Sequence, residues 1–136
     1  SVRKHAYRKP TKGIQMSLEV FYASVDGDYD GVKSRLLTEE RISKFVNLFF
    51  SDPTYQNLVA NLDSGNMKEA FRAAHTLKGV TRDLGLTRIA DPASELADAL
   101  RPDENGNPAH PEKANEIMTE VSAAYKKAVE ARSLLD

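Results

Sequence analysis

The side chains best suited to chemistry in this 136-residue chain cluster in one stretch, Phe71-Arg-Ala-Ala-His75-Thr-Leu-Lys78-Gly79-Val-Thr-Arg82-Asp-Leu-Gly85. Wound as a helix at about 100° per residue, it gathers Ala70, Ala73, Ala74, Leu77, Val80, Thr81 and Leu84 on one side. His75 then falls roughly 140–150° from the centre of that apolar stripe. It is expected in water, among Lys68, Arg72, Gly79 and Arg82, with Lys78 on the flank. An imidazole is a competent nucleophile near neutral pH. A lysine three residues on shares its face and offers positive charge to phosphoryl oxygens. Gly79 costs about 1 kcal/mol relative to alanine in a helix interior. Such a glycine is tolerated where another surface must approach the backbone. Nucleophile, cation and gap together describe a phosphoryl-accepting histidine on a docking surface.

The other candidate chemistries are weaker. His5 and His110 sit in segments without periodicity, and no HExxH or other ligand spacing joins them to His75. Asp26-Gly-Asp28-Tyr-Asp30-Gly31 matches the first half of a calcium loop. Its twelfth position is Leu37, which has no oxygen to offer, so the acidic residues are expected to cap a helix and no metal is expected. No Gly-rich phosphate loop is present, so no ATP site is expected.

The elements that must position His75 are helical throughout. Ser17–Val25 reads as a short helix with Leu18, Phe21, Tyr22 and Val25 apolar, and residues 29–36 as another. Thr38 starts a third, with Glu39 and Glu40 favouring its N-terminal dipole. Ile42, Phe45, Val46, Phe49 and Phe50 form its core stripe, the alternative being a groove for a partner helix. Ser51-Asp52-Pro53 breaks that helix, and Tyr55, Leu58, Val59 and Leu62 continue the core face. Asn66 with Glu69 resembles a capping box opening the histidine helix, and Gly85 stands where a left-handed C-cap is expected. A return helix begins at Thr87, with Pro92 expected to bend it or delay its start. A polar loop over residues 101–110 precedes a long last helix from Pro111 to Leu135. Five or six helices are expected, the four long ones as an antiparallel up-and-down four-helix bundle with one or two short extra N-terminal helices.

Composition narrows the function classes. The chain is 40% hydrophobic and 29% charged, which suits one globular domain. A formal net charge of −1 offers no field for nucleic acid or an anionic membrane surface. No apolar run approaches the ~20 residues of a membrane span. The absence of cysteine rules out a disulfide framework and thiolate chemistry and suits the cytoplasm.

Ala74-His75-Thr76-Leu77-Lys78-Gly79, with Gly85 ten residues beyond the histidine, resembles the signature of histidine-containing phosphotransfer (HPt) domains. The likeness extends from Met16 to the C-terminus. It takes in Gly27–Val32, the helix from Glu39 to Phe50, the Ser51-Asp-Pro53 junction and residues 71–101. It implies a domain over residues 16–136, with Met16 a candidate natural start. Residues 1–15 carry five basic and no acidic side chains and are expected to be a basic tail, linker or vector remnant.

The resemblance also implies a function. His75 would take a phosphoryl group on Nε2 from a receiver-domain aspartate, or from a hybrid histidine kinase, and pass it to another response regulator. Lys78 would stabilise phosphoryl charge, Gly79 would give access, and Lys68, Phe71, Arg72 and Arg82 would dock partners. Such a protein is a covalent carrier rather than an enzyme. It would be a monomer needing no cofactor of its own, since the divalent metal belongs to the receiver. Its partners would be receiver domains and a sensor histidine kinase.

Two positions depart from the family pattern. A glutamine often found 22 residues after the histidine, holding the imidazole, is Ala97 here. The residue seven after it, usually small, is Arg82. The rivals are a sensor-kinase dimerisation domain, whose histidine is followed by an acidic residue unlike Thr76; a helical adaptor that docks receivers without phosphotransfer; and a nucleic-acid binder resting on the basic N-terminus alone.

Overall fold

Short polar side chains partition the chain into helices. In this computed structural model, which describes residues 2–135 and side chains from Gly13 onward, Asp28, Thr38 and Asn66 each accept a backbone N–H at a helix start, from Gly31, Arg41 and Glu69 respectively. These bonds satisfy donors that the first helical turn leaves without partners. The helices are α1 (Val2–Ser24), α2 (Tyr29–Leu36), α3 (Glu39–Ser51), α4 (Thr54–Asp63), α5 (Met67–Asp83), α6 (Thr87–Leu100) and α7 (Ala114–Ala131). Single 3-10 turns, Pro111–Lys113 and Arg132–Leu135, flank α7. The described residues contain no named strand; Pro102 and Pro108 form an isolated bridge within the α6–α7 loop.

Three local expectations change. Helix α1 begins at Val2, so Ser17 lies inside it rather than at its cap. The first half has lysines and arginines that favour helix but no apolar stripe, so periodicity alone does not reveal it. Pro92 neither delays nor interrupts α6, which starts at Thr87 and runs through it. Finally, Asn66 caps α5 without a reciprocal bond from Glu69. The Asn66 amide donates to the carbonyl of Asn61, and the Glu69 carboxylate pairs with Arg72 at 3.0 Å.

Helix α5 packs between α4 and α6, α7 packs on α6, and α1 lies against α3 and the C-terminal 3-10 turn. Leu18, Phe21 and Tyr22 of α1, Ile42 and Val46 of α3, Leu77 of α5 and Leu96 and Leu100 of α6 are fully buried in one core. Aromatic contacts bring α7 against its neighbours. The Tyr125 ring stacks on Tyr55 at 3.7 Å and meets Phe49 edge-on at 5.9 Å, while the Tyr55 hydroxyl bonds Ser122 Oγ at 3.0 Å. Burying these large rings is a main source of stability.

Candidate functional site

The helix that carries His75 is held hardest at its C-terminal end. Gly85 adopts φ +69°, and the amide of Leu86 donates to Thr81 O while that of Gly85 donates to Arg82 O. This pattern closes a Schellman motif. The remaining carbonyls are served by the N-terminal helices. Arg35 of α2 donates to Arg82 O at 3.1 Å and to Asp83 O at 2.9 and 3.2 Å. The Tyr22 hydroxyl donates to Leu84 O at 2.6 Å, and the Asp28 amide to Gly85 O at 2.8 Å. Every carbonyl from Val80 to Gly85 thus has a donor, and the Arg35 charge also suits the negative end of the helix dipole. Burial pushes the Tyr22 phenol well above its ordinary ionisation range.

His75 stands on the outward face of α5 and is exposed, as are Lys68, Arg72, Gly79 and Arg82; Lys78 and Phe71 are half-buried. The opposite face is the core: Ala70, Ala73, Ala74, Leu77, Thr81 and Leu84 are buried, and the Thr81 hydroxyl is satisfied by Leu77 O at 2.7 Å. A β-carbon placed on Gly79 would meet nothing within 4 Å. No packing constraint therefore explains the glycine. Helical side chains lean toward the N-terminus of their helix. A side chain at position 79 would accordingly lie over the turn that holds His75, and its absence leaves the imidazole uncovered from that side. Lys78, three residues on from His75, is its neighbour on the helix surface.

The cations on this ridge are not equivalent. Arg72 is engaged by Glu69, while among the described residues Lys68, Lys78 and Arg82 make no ion pair. Lys68 and Arg82 each stand seven residues from His75, about 10 Å along the axis. The five proposed companions of His75 besides Phe71 are thus strung along one ridge rather than gathered into a pocket. His110 pairs with Glu112 at 3.5 Å in the α6–α7 loop, and the His5 side chain lies outside those described.

Two further features adjoin the histidine helix. The ring of Phe71, one turn before His75, meets the imidazole edge-to-face at a centroid distance of 5.9 Å. The Arg101 guanidinium, at the C-cap of α6, lies over the Phe71 ring at 5.4 Å. The second is an open groove of about 320 Å³ beside the C-terminal half of α5, lined mainly by apolar side chains, Phe45, Leu48, Phe49 and Val80 among them, with Asp52 and Asp83 also lining it. Phe45, expected in the core, is 38% exposed, and its neighbour Leu48 is 52% exposed. The alternative of a groove on α3 is therefore what this stripe partly provides.

The described residues thus form an all-helical scaffold that presents an exposed imidazole on the outward face of α5. The family model of the Hpt domain matches residues 48–131, more than half of the chain, and the chain belongs to that family. No curated protein and no solved structure matched it. Members of the family are phosphocarrier modules of two-component phosphorelays, working with receiver domains and histidine kinases. No helix among the described residues is long and apolar enough to cross a membrane.

Proposed function

We propose that His75 is the phosphoacceptor of a phosphorelay. The observation that carries this is an exposed imidazole on α5, beside an uncovered Gly79, in a chain of the Hpt family. The Nε2 lone pair attacks the phosphorus of a receiver's aspartyl phosphate. An N–P bond forms as the P–O bond to the aspartate breaks, and the carboxylate leaves with the electron pair. The proton stays on Nδ1 throughout. The reverse step, onto the aspartate of a second receiver, discharges the carrier. Lys78 stabilises charge on the phosphoryl oxygens, and the divalent metal that assists such transfer belongs to the receiver.

Receiver docking uses both flanks of the ridge. Lys68, Arg72 and Arg82 steer an acidic receiver pocket toward His75, and Phe71 adds apolar contact. The groove at Phe45 and Leu48 receives an apolar surface of the same partner. Helices α4–α7 form the up-and-down bundle, supported by the short α4–α5 and α5–α6 connections and by the Tyr55–Tyr125 stack joining first to last. A cytoplasmic monomer is the form in which such a carrier meets successive partners.

Incubation with a phosphorylated receiver tests the assignment. The chain acquires an acid-labile, alkali-stable label that His75→Gln abolishes. A label persisting in that variant would move the phosphoacceptor elsewhere. Docking without turnover, the rival reading, predicts receiver binding with the label staying on the receiver and none on this chain.

A further inference from the structure

We infer that Phe71 is a positioning residue for the His75 imidazole, held in turn by Arg101, and that this stack does the orienting work of the glutamine that Ala97 replaces. The inference rests on His75 being the phosphoacceptor. A transferable phosphoryl group needs Nε2 pointing outward, and a free imidazole on an exposed helix face samples several side-chain rotamers. Something must select one. Among the described residues no side chain or backbone group hydrogen-bonds the His75 imidazole. Ala97 is fully buried and has no polar atom to offer. The contact that remains is the ring of Phe71.

Its geometry suits the task. Residues four apart share a helix face, and the later side chain leans back over the earlier one. The rings accordingly meet at 5.9 Å with a 64° interplanar angle, within the edge-to-face range that aromatic pairs favour. Phe71 is itself clamped from α6. The Arg101 guanidinium lies over its ring at 5.4 Å, and a cation on the ring face is attracted by the π-quadrupole. Arg101 is anchored in two ways: its Nη2 pairs with Asp98 Oδ1 at 3.2 Å, and its carbonyl accepts the Ala109 amide at 2.9 Å. Imidazole, phenyl, guanidinium and carboxylate form one chain of contacts from α5 to the end of α6. A glutamine would orient the imidazole by a hydrogen bond; this stack orients it by ring packing and leaves both ring nitrogens open.

NMR of the unphosphorylated protein tests this directly, because side-chain couplings and ring–ring NOEs report the His75 rotamer without any transfer reaction. The wild type is expected to hold one rotamer, with NOEs between the Phe71 and His75 rings. Phe71→Tyr, which keeps the ring, retains it. Phe71→Leu, which keeps bulk without the ring, averages the rotamers and slows transfer at saturating receiver about tenfold, a loss that added receiver does not restore. Arg101→Gln, at an exposed position where folding is not at stake, loosens the rotamer to an intermediate degree. Unchanged His75 couplings in both Phe71→Leu and Arg101→Gln would overturn the inference while leaving the phosphoacceptor assignment intact. A Kd that weakens in step with the rate, with couplings unmoved, would make Phe71 a docking residue only.

Discussion

Gly85 faces the backbone of Asp28 so closely that a β-carbon on it would lie 2.6 Å from the Asp28 carbonyl oxygen. The same glycine holds φ +69°, where side chains are strained. Gly85→Ala is therefore expected to destabilise by about 2 kcal/mol or more, read as a fall in Tm. Gly65 has a similar φ of +77° but open space around it, so Gly65→Ala should cost only about 1 kcal/mol. Equal losses at the two positions would mean that the approach to Asp28 contributes nothing.

Gly79 should behave in the opposite way. Its surroundings are open, so Gly79→Ala is expected to stabilise by up to about 1 kcal/mol, roughly 3–5 °C in Tm. Gly79→Gln should keep part of that gain yet lower receiver phosphotransfer, since its side chain would lean over His75. A variant more stable and equally fast would show that the glycine is not there for access.

Lys78→Ala is expected to leave Tm within about 1–2 °C while slowing transfer by about 10- to 100-fold, or roughly 1.4–2.7 kcal/mol of transition-state stabilisation. Rapid-quench kinetics with a phosphorylated receiver would measure it. A rate unchanged at saturating receiver would assign the lysine to the solvated face alone.

The groove makes a prediction about affinity rather than rate. Leu48 is 52% exposed, so Leu48→Asp should fold normally. It is expected to weaken receiver binding about tenfold, near 1.4 kcal/mol, with the transfer rate at saturation preserved. Titration calorimetry against an unphosphorylated receiver would detect this, and an unaltered Kd would place docking elsewhere.

Tyr22 links the histidine helix to pH. Its phenol is buried, donates to Leu84 O, and titrates above its ordinary range. The unfolded chain gives up this proton first, near pH 10. The stability due to the protonated phenol is thus complete below about pH 10 and declines as pH rises beyond it. Tyr22→Phe should cost about 1 kcal/mol at pH 7, and the gap to wild type should narrow in alkaline urea melts. Tyr29, also raised by burial, adds to the wild-type slope. A gap constant from pH 7 to above pH 10 would contradict this linkage.

The outward placement of His75 was readable because it depends only on helical period. Of the seven residues assigned to the apolar stripe, Val80 alone is half-exposed and the rest are buried. The Gly85 cap was equally local and equally legible. What the sequence hid is contact between residues far apart in the chain: Arg35 with Asp83, Tyr22 with Leu84, Arg101 with Phe71. No spacing rule links such pairs. The exposure of Phe45 and Leu48 was partly foreseeable. On a helix Leu48 lies about 120° from Ile42, so the two cannot share one core face. The start of α1 was hidden for another reason, since its first half has helix formers but no apolar period to reveal them.

Half the donors that finish α5 come from Tyr22, Asp28 and Arg35, all upstream of the family match at residues 48–131. Anyone trimming the gene to that boundary would amputate the brace along with the overhang. The last turn of the helix would fray, its amide hydrogens would exchange quickly with solvent, and a loss of signalling in the shortened protein would reflect a loosened platform instead of missing chemistry.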